Sequence, residues 1–214
     1  NVFGYYGSST GILFADFLRE SNSANALFGF SVSTAGDVNG DGYSDIIIGA
    51  PGANSNKGYA VSYLGSASGL QTTANWYKVS PAVNPGDHKF GYCVSTAGDV
   101  NGDGYSDVIL GAPFAGSESG YAYVFHGSST GLLINPNWTY SFNSPGQRFG
   151  ISVATTGDVN GDGYSDIIVG SKNYFGNPAA FFLKGSPTGI SGNVVQLYGI
   201  YVSTAGDVNG DGYS

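Results

Sequence analysis

One nine-residue string, Gly-Asp-Val-Asn-Gly-Asp-Gly-Tyr-Ser, occurs four times in this chain of 214 residues, and only a fold that itself repeats can place it four times. Its first aspartate stands at Asp37, Asp99, Asp158 and Asp207, at intervals of 62, 59 and 49 residues. Three other landmarks keep step with it. A turn of the form Gly-Ser-x-[Ser/Thr]-Gly begins at Gly7, Gly65, Gly127 and Gly185. An aromatic-glycine pair precedes each acidic string: Phe28-Gly29, Phe90-Gly91, Phe149-Gly150 and Tyr198-Gly199. Gly-Ala-Pro occupies 49–51 and 111–113 and decays to Gly170-Ser171-Lys172 in the third copy.

Each unit reads as four short strands. The first runs from Gly29 to Ala35, and the second is the apolar run Asp45–Gly49, ended by Pro51, which has no amide to donate to a ladder. The third is Gly58–Leu64, and the fourth lies around Asn75–Val79, with Asn137–Tyr140 as its counterpart. The continuously apolar second strand predicts burial on both faces. With 36 Gly, no Met, and apolar stretches that are short and β-branched or aromatic, helices are disfavoured. The expected fold is all-β: a β-propeller of four-stranded blades, about three and a half of them in this chain. The expected divisions are 1–27 (third and fourth strands of a split blade), 28–89, 90–148 and 149–197 (three blades), and 198–214 (first strand and partial loop of a further blade). No apolar run approaches the ~18 residues of a membrane helix.

Eleven of the 15 acids fall inside the four copies of the acidic string or directly after one, so the net charge of −8 is local equipment. A net negative chain without a basic patch disfavours nucleic acid as a partner. Within Asp37–Asp45, side-chain oxygens stand at positions 1, 3, 5 and 9 and glycines at 4 and 6. A backbone carbonyl is available at 7. A chain curled to present alternate oxygens suits a hard cation, and Ca²⁺ takes 6–8 oxygens. EF-hand loops start in the same way but need an acid at position 12 and a following helix. Position 12 here is Ile48, Leu110 or Val169, each inside a β-rich run.

Aromatic-Gly, the Asp-x-Asn-x-Asp-Gly-x-x-Asp loop and Gly-Ala-Pro, in that order, resemble the FG-GAP repeat of integrin α-subunit propellers and of bacterial surface proteins. The resemblance implies a propeller, usually of seven blades, with Ca²⁺ held between the first and second strands of a blade. Carried over by position, site one is Asp37, Asn39, Asp41, Tyr43 (carbonyl) and Asp45. Site two is Asp99, Asn101, Asp103, Tyr105 and Asp107. Site three is Asp158, Asn160, Asp162, Tyr164 and Asp166, and Asp207, Asn209, Asp211 and Tyr213 form an incomplete fourth.

Little is left for catalysis. His88 and His126 are the only histidines, and both read as solvated loop residues. Gly127-Ser-Ser-Thr-Gly131 fits a nucleophile elbow in letters only, because a fourfold repeated turn has neither the strand-to-helix setting nor triad partners. Outside the loops the acids are Asp16, Glu20, Asp87 and Glu118, which leaves few candidates for a hydrolytic carboxylate pair. Cys93, the single cysteine, lies in an apolar stretch and reads as a structural thiol. The expectation is a non-catalytic adhesive or structural module at the cell surface or outside the cell, where Ca²⁺ is abundant. The alternative is a propeller lectin using Trp76 and Trp138 as stacking platforms; packing of both between blades is the competing reading. A propeller hydrolase or lyase is disfavoured. Another copy, or the remainder of a longer chain, is expected to complete the propeller, and the protein or glycan ligand is left open.

Overall fold

The computed structural model describes residues 1–9, 11–12, 17–21, 23, 25–82, 86–174 and 176–212. It opens with β1 (Val2–Gly4), a small hairpin of β2 (Gly7–Ser8) and β3 (Gly11–Ile12), and β4 (Phe17–Arg19), which pairs antiparallel with β1. Three four-stranded antiparallel meanders follow. The first is β5 (Ser31–Gly36), β6 (Asp45–Ala50), β7 (Tyr59–Tyr63) and β8 (Trp76–Val79). The second is β9 (Cys93–Gly98), β10 (Asp107–Ala112), β11 (Tyr121–Phe125) and β12 (Trp138–Tyr140). The third is β13 (Ser152–Gly157), β14 (Asp166–Tyr174), β15 (Asn177–Lys184) and β16 (Ser191–Leu197).

The core lies between the sheets. Ile47 of β6 faces forward, in one cluster with Phe90, Leu110 and Phe125 of the next sheet. Its neighbour Ile48 faces back, against Val2 and Phe17. The same alternation places Ile109 against Phe149, Ile167 and Phe181. Both faces of the second strand are thus buried, as its unbroken apolar run requires. Sheets stacked as blades, each covering the next, form a β-propeller.

The strand ends follow from the Gly-Ala-Pro motif. Pro51 and Pro113 stop β6 and β10 at Ala50 and Ala112. One-turn segments follow, Ala53–Asn56 and Ala115–Glu118, whose middle residues are left-handed (Asn54 φ 52°, Ser55 φ 56°, Gly116 φ 61°, Ser117 φ 57°). The third copy has Lys172 where those have proline, so β14 continues to Tyr174, which pairs with Asn177 of β15. Loss of the motif is therefore visible as a longer hairpin.

Blades meet through their main chains. A Cβ on Gly49, Gly111 or Gly170 would stand 2.0, 1.9 and 1.9 Å from the carbonyl oxygens of Gly91, Gly150 and Ile200. Parallel bridges join Gly58 to Phe90 and Gly120 to Phe149. At one position per blade a side chain crosses as well: Val94 N donates to Ser31 Oγ, Val153 N to Cys93 Sγ and Val202 N to Ser152 Oγ. Cys93 is half-buried there, and burial raises its thiol pKa.

Three expectations change. Among the described residues no strand forms from Tyr198 onward. A first strand pairs with the second strand of its own blade, and residues 198–212 contain none, although Val202 keeps its contact to Ser152. His88 is fully buried rather than solvated, with Nδ1 2.8 Å from Ser80 Oγ. His126 is also buried, against its own acidic loop. The tryptophans, by contrast, follow the between-blade reading: Trp76 is edge-on to Phe125 at 5.0 Å with Nε1 donating to the Leu133 carbonyl, and Trp138 is half-buried against the next core, stacked on Tyr140.

Gly111→Ala should therefore cost more than about 3 kcal/mol, because its methyl would collide with backbone that cannot swing aside. Gly104→Ala meets no atom within 4 Å and carries only the left-handed strain of φ +90°, about 1 kcal/mol. Urea denaturation of both variants checks the order.

Candidate functional site

Each of the first three acidic strings forms the tip of the hairpin between the first and second strands of a blade. A bulge opens it: Gly36 pairs with Asp45 while Thr34 pairs with Ile46, so Ala35 is left over and turns into the core. Thr34 Oγ1 accepts from Gly36 N and stabilises the bulge. The loop then winds around its own first side chain. The Asp37 carboxylate accepts from Gly40 N (2.7 Å), Asp41 N (3.1 Å) and Gly42 N (2.7 Å). Gly40 and Gly42 stand at φ +72° and +88°, which an L side chain would strain. Asn39 Oδ1 accepts from Asp41 N, Asp41 Oδ1 from Tyr43 N, and Asn39 Nδ2 donates to Asp41 Oδ2.

Asp45, at position 9, closes the loop from below. It is fully buried, and its two oxygens accept Val38 N at 2.8 Å and Gly65 N at 2.7 Å. One carboxylate thus joins the acidic loop, the second strand and the Gly-Ser turn. Asp107 does the same with Val100 N and Gly127 N, and Asp166 with Val159 N and Gly185 N. Burial raises the pKa of all three, with the charges at positions 1 and 5 adding to it, and Asp107 reaches about 7.

The loops are not identical. In the second, Asn101 Nδ2 donates to His126 Nδ1 at 3.1 Å, leaving Nε2 buried without a hydrogen-bond partner, and burial lowers the imidazole pKa. Asp99, Asp103 and Tyr105 otherwise match the first loop. In the third, Asp158 accepts from Asp162 N and Gly163 N and Asp162 from Tyr164 N, while Asn160 Nδ2 is buried without a partner. In the fourth, Asp207 accepts Gly210, Asp211 and Gly212 amides, the Gly212 bond foremost in lowering its pKa, and Asn209 bonds Asp211. Tyr213 lies outside the described residues.

The donor set is oxygen throughout, and carboxylates at positions 1 and 5 stand close enough to raise the pKa of the one at 9. A hard cation among them would relieve that repulsion, so the residues fit one. Among the described residues, however, no three His, Cys, Asp or Glu side chains already form a metal-holding group. The carboxylates are turned onto backbone amides instead. Part of what holds the first loop comes from the next blade and leaves no trace in the loop's own spacing: Ser106 N donates to Asp37 O and Ser128 N to Val38 O. The recurring Tyr-Ser after each acidic string was the available signal.

Stacked four-stranded blades with an acidic hairpin at the same corner define a class, the β-propellers with an oxygen-rich loop in each blade. A family model described as FG-GAP repeat matches residues 28–64, 90–125 and 149–183, and the chain belongs to the FG-GAP repeat family. Integrin alpha-7 of Mus musculus is 35% identical over 150 residues (67% of this chain), and integrin alpha-PS2 of Drosophila melanogaster 35% over 176 (75%). Integrin alpha-6 of Gallus gallus is 33% identical over 162 residues (73%). The chain spans only 12 to 14% of the length of these relatives.

A buried carboxyl whose pKa is raised stabilises the fold fully below its unfolded value near 4, and that contribution is lost as pH rises through the folded value. In excess chelator, the stability of Asp107→Asn relative to the parent should therefore rise as pH goes from 5 to 7, on the order of 2 kcal/mol, and level off above about 7. Denaturant titrations at both pH values measure it; a difference independent of pH would contradict the burial account.

Proposed function

We propose that this chain is part of a Ca²⁺-stabilised propeller that works at the cell surface or outside the cell as an adhesive binding module without catalysis. The observation that carries the calcium reading is the threefold anchoring of an oxygen-only loop on a buried, charge-strained aspartate (Asp45, Asp107, Asp166). The adhesive and surface readings are supported by similarity to integrin alpha chains. The absence of catalysis is supported by both histidines being buried, His88 with no exposed surface from which to reach a substrate. Burial of Trp76 takes away the stacking platform on which a lectin reading stood. No helix is long and apolar enough to cross a membrane among the described residues.

In this reading Ca²⁺ is structural. A cation at 1,000 times its dissociation constant stabilises the fold by about 4 kcal/mol per site. Excess chelator should lower the melting midpoint by more than about 5 °C, and Asp41→Ala should produce part of that shift. An unchanged melting curve in chelator would remove the calcium reading. A hydrolytic turnover abolished by His88→Ala or His126→Ala would remove the non-catalytic one.

The propeller is completed by another copy or by the remainder of a longer chain. Apolar side chains stand exposed at both flanks: Phe3, Tyr5 and Leu18 at one, Val195, Leu197, Tyr198 and Tyr201 at the other. Such flanks invite pairing. Light scattering at micromolar concentration should give a mass above 22.0 kDa, and a stable monodisperse monomer would contradict it.

A further inference from the structure

Tyr43, Tyr105 and Tyr164 hold the same position of three matching loops, yet the first is exposed and the other two are half-buried. The difference is what lies beneath them. Tyr105 rests on loop one: a Cβ on Gly40 would stand 2.8 Å from its ring, and one on Gly36 would stand 2.3 Å from Ser106 Oγ. Ser106 N donates to the carbonyl of Asp37, the first residue of that loop, at 2.9 Å. Tyr164 and Ser165 repeat the arrangement on loop two. Gly102 lies beneath the Tyr164 ring, Gly98 beneath Ser165, and Ser165 N donates to Asp99 O at 2.9 Å. Among the described residues nothing comparable covers Gly42, Gly104 or Gly163, whose added Cβ would meet no atom within 4 Å. The glycines at the bulge and at position 4 are therefore needed by the neighbouring blade as well as by the loop's own curl.

We propose that a cation bound in one acidic loop strengthens cation binding in the adjacent loop, with Tyr105–Ser106 and Tyr164–Ser165 as the positioning residues that couple them. This rests on the calcium reading above. Tyr105 belongs to both loops. Its backbone follows Asp103, where its amide bonds Asp103 Oδ1, and its carbonyl is the position-7 oxygen of loop two. Its ring and the next amide are seated on positions 4 and 1 of loop one. Ordering either loop thus fixes part of the other, and a second cation finds a site whose ordering cost is already met. Linkage makes the effect reciprocal: loop one must help loop two by the factor with which loop two helps loop one.

Because the Gly42, Gly104 and Gly163 amides each bond the first aspartate of their own loop, their NMR signals report the three loops separately during titration of the full chain with Ca²⁺. Asp103→Ala, which disables loop two, should weaken loop one about tenfold although no residue of loop one has changed, and Asp41→Ala should weaken loop two by a similar factor. Tyr105→Ala keeps the position-7 carbonyl and the Ser106 amide bond but removes the ring's share of the coupling, so adding Asp103→Ala to it should weaken loop one by clearly less than it does in the parent. Tyr105→Phe should behave as the parent. Asp103→Asn serves in place of Asp103→Ala if blade-two signals show that the alanine variant has unfolded. The proposal is overturned if loop one keeps its midpoint when loop two is disabled, or if the Tyr105 and Asp103 effects on it multiply. Absence of any Ca²⁺-induced shift in the parent chain overturns the calcium reading and this proposal together, and is recognised without any variant.

Discussion

The buried aspartate at the end of each acidic string is the interaction on which the rest of a blade depends. Asp45, Asp107 and Asp166 each hold two amides in a place without solvent, one from the loop and one from the Gly-Ser turn about 20 residues later. The clamp's two charge-assisted bonds offset only part of what burying the charge costs, as the raised pKa records, and the group becomes a greater burden if either amide is lost. It fixes the distance between the two hairpin tips at one corner of the blade. The bulge, the left-handed glycines and the Ser186-type turn bonds are arranged around that clamp.

Much of this was legible in the sequence because the determinants are local and repeated. Strand ends at Pro51 and Pro113, the glycines at 40 and 42, and the unbroken apolar run of β6 each have one physical meaning, and the structure gives it. What escaped was the part decided by contact between blades. His88 looks like a loop residue beside Pro85-Gly86-Asp87, yet its amide bonds Asn56 and its carbonyl receives Phe114 N, so three blade elements bury it. His126 is hidden for a similar reason, since Gly189 of the next blade lies so close to its ring that an added Cβ would stand 3.0 Å from Nε2. No periodicity in one strand records a neighbour 30 or 60 residues away.

The third blade shows how far the repeat can drift. With proline lost, β14 and β15 lengthen, and Gln147 takes over the bonding: its carbonyl accepts from Ser171 Oγ, Lys172 N and Asn173 N. In the blades that keep Gly-Ala-Pro, the left-handed turn instead receives the following blade, at Asn56 and Lys57 or at Glu118 and Ser119. Arg148 strengthens that junction by bonding Glu118 while lying over Phe114. The acidic corner is unchanged by all this, so the two ends of a blade vary independently.

The glycines at 49, 111 and 170 set a different kind of rule. Where they stand, one blade reads the next through peptide atoms, and no side chain has to be matched to another. A junction made of main chain is the same for every pair of units that keep the glycine. When a unit is duplicated or exchanged, this point of the seam needs no refitting, and the adjustment falls on the apolar side chains between the sheets. The array is thereby free to grow by copying, and its loops are free to diverge after each copy is made.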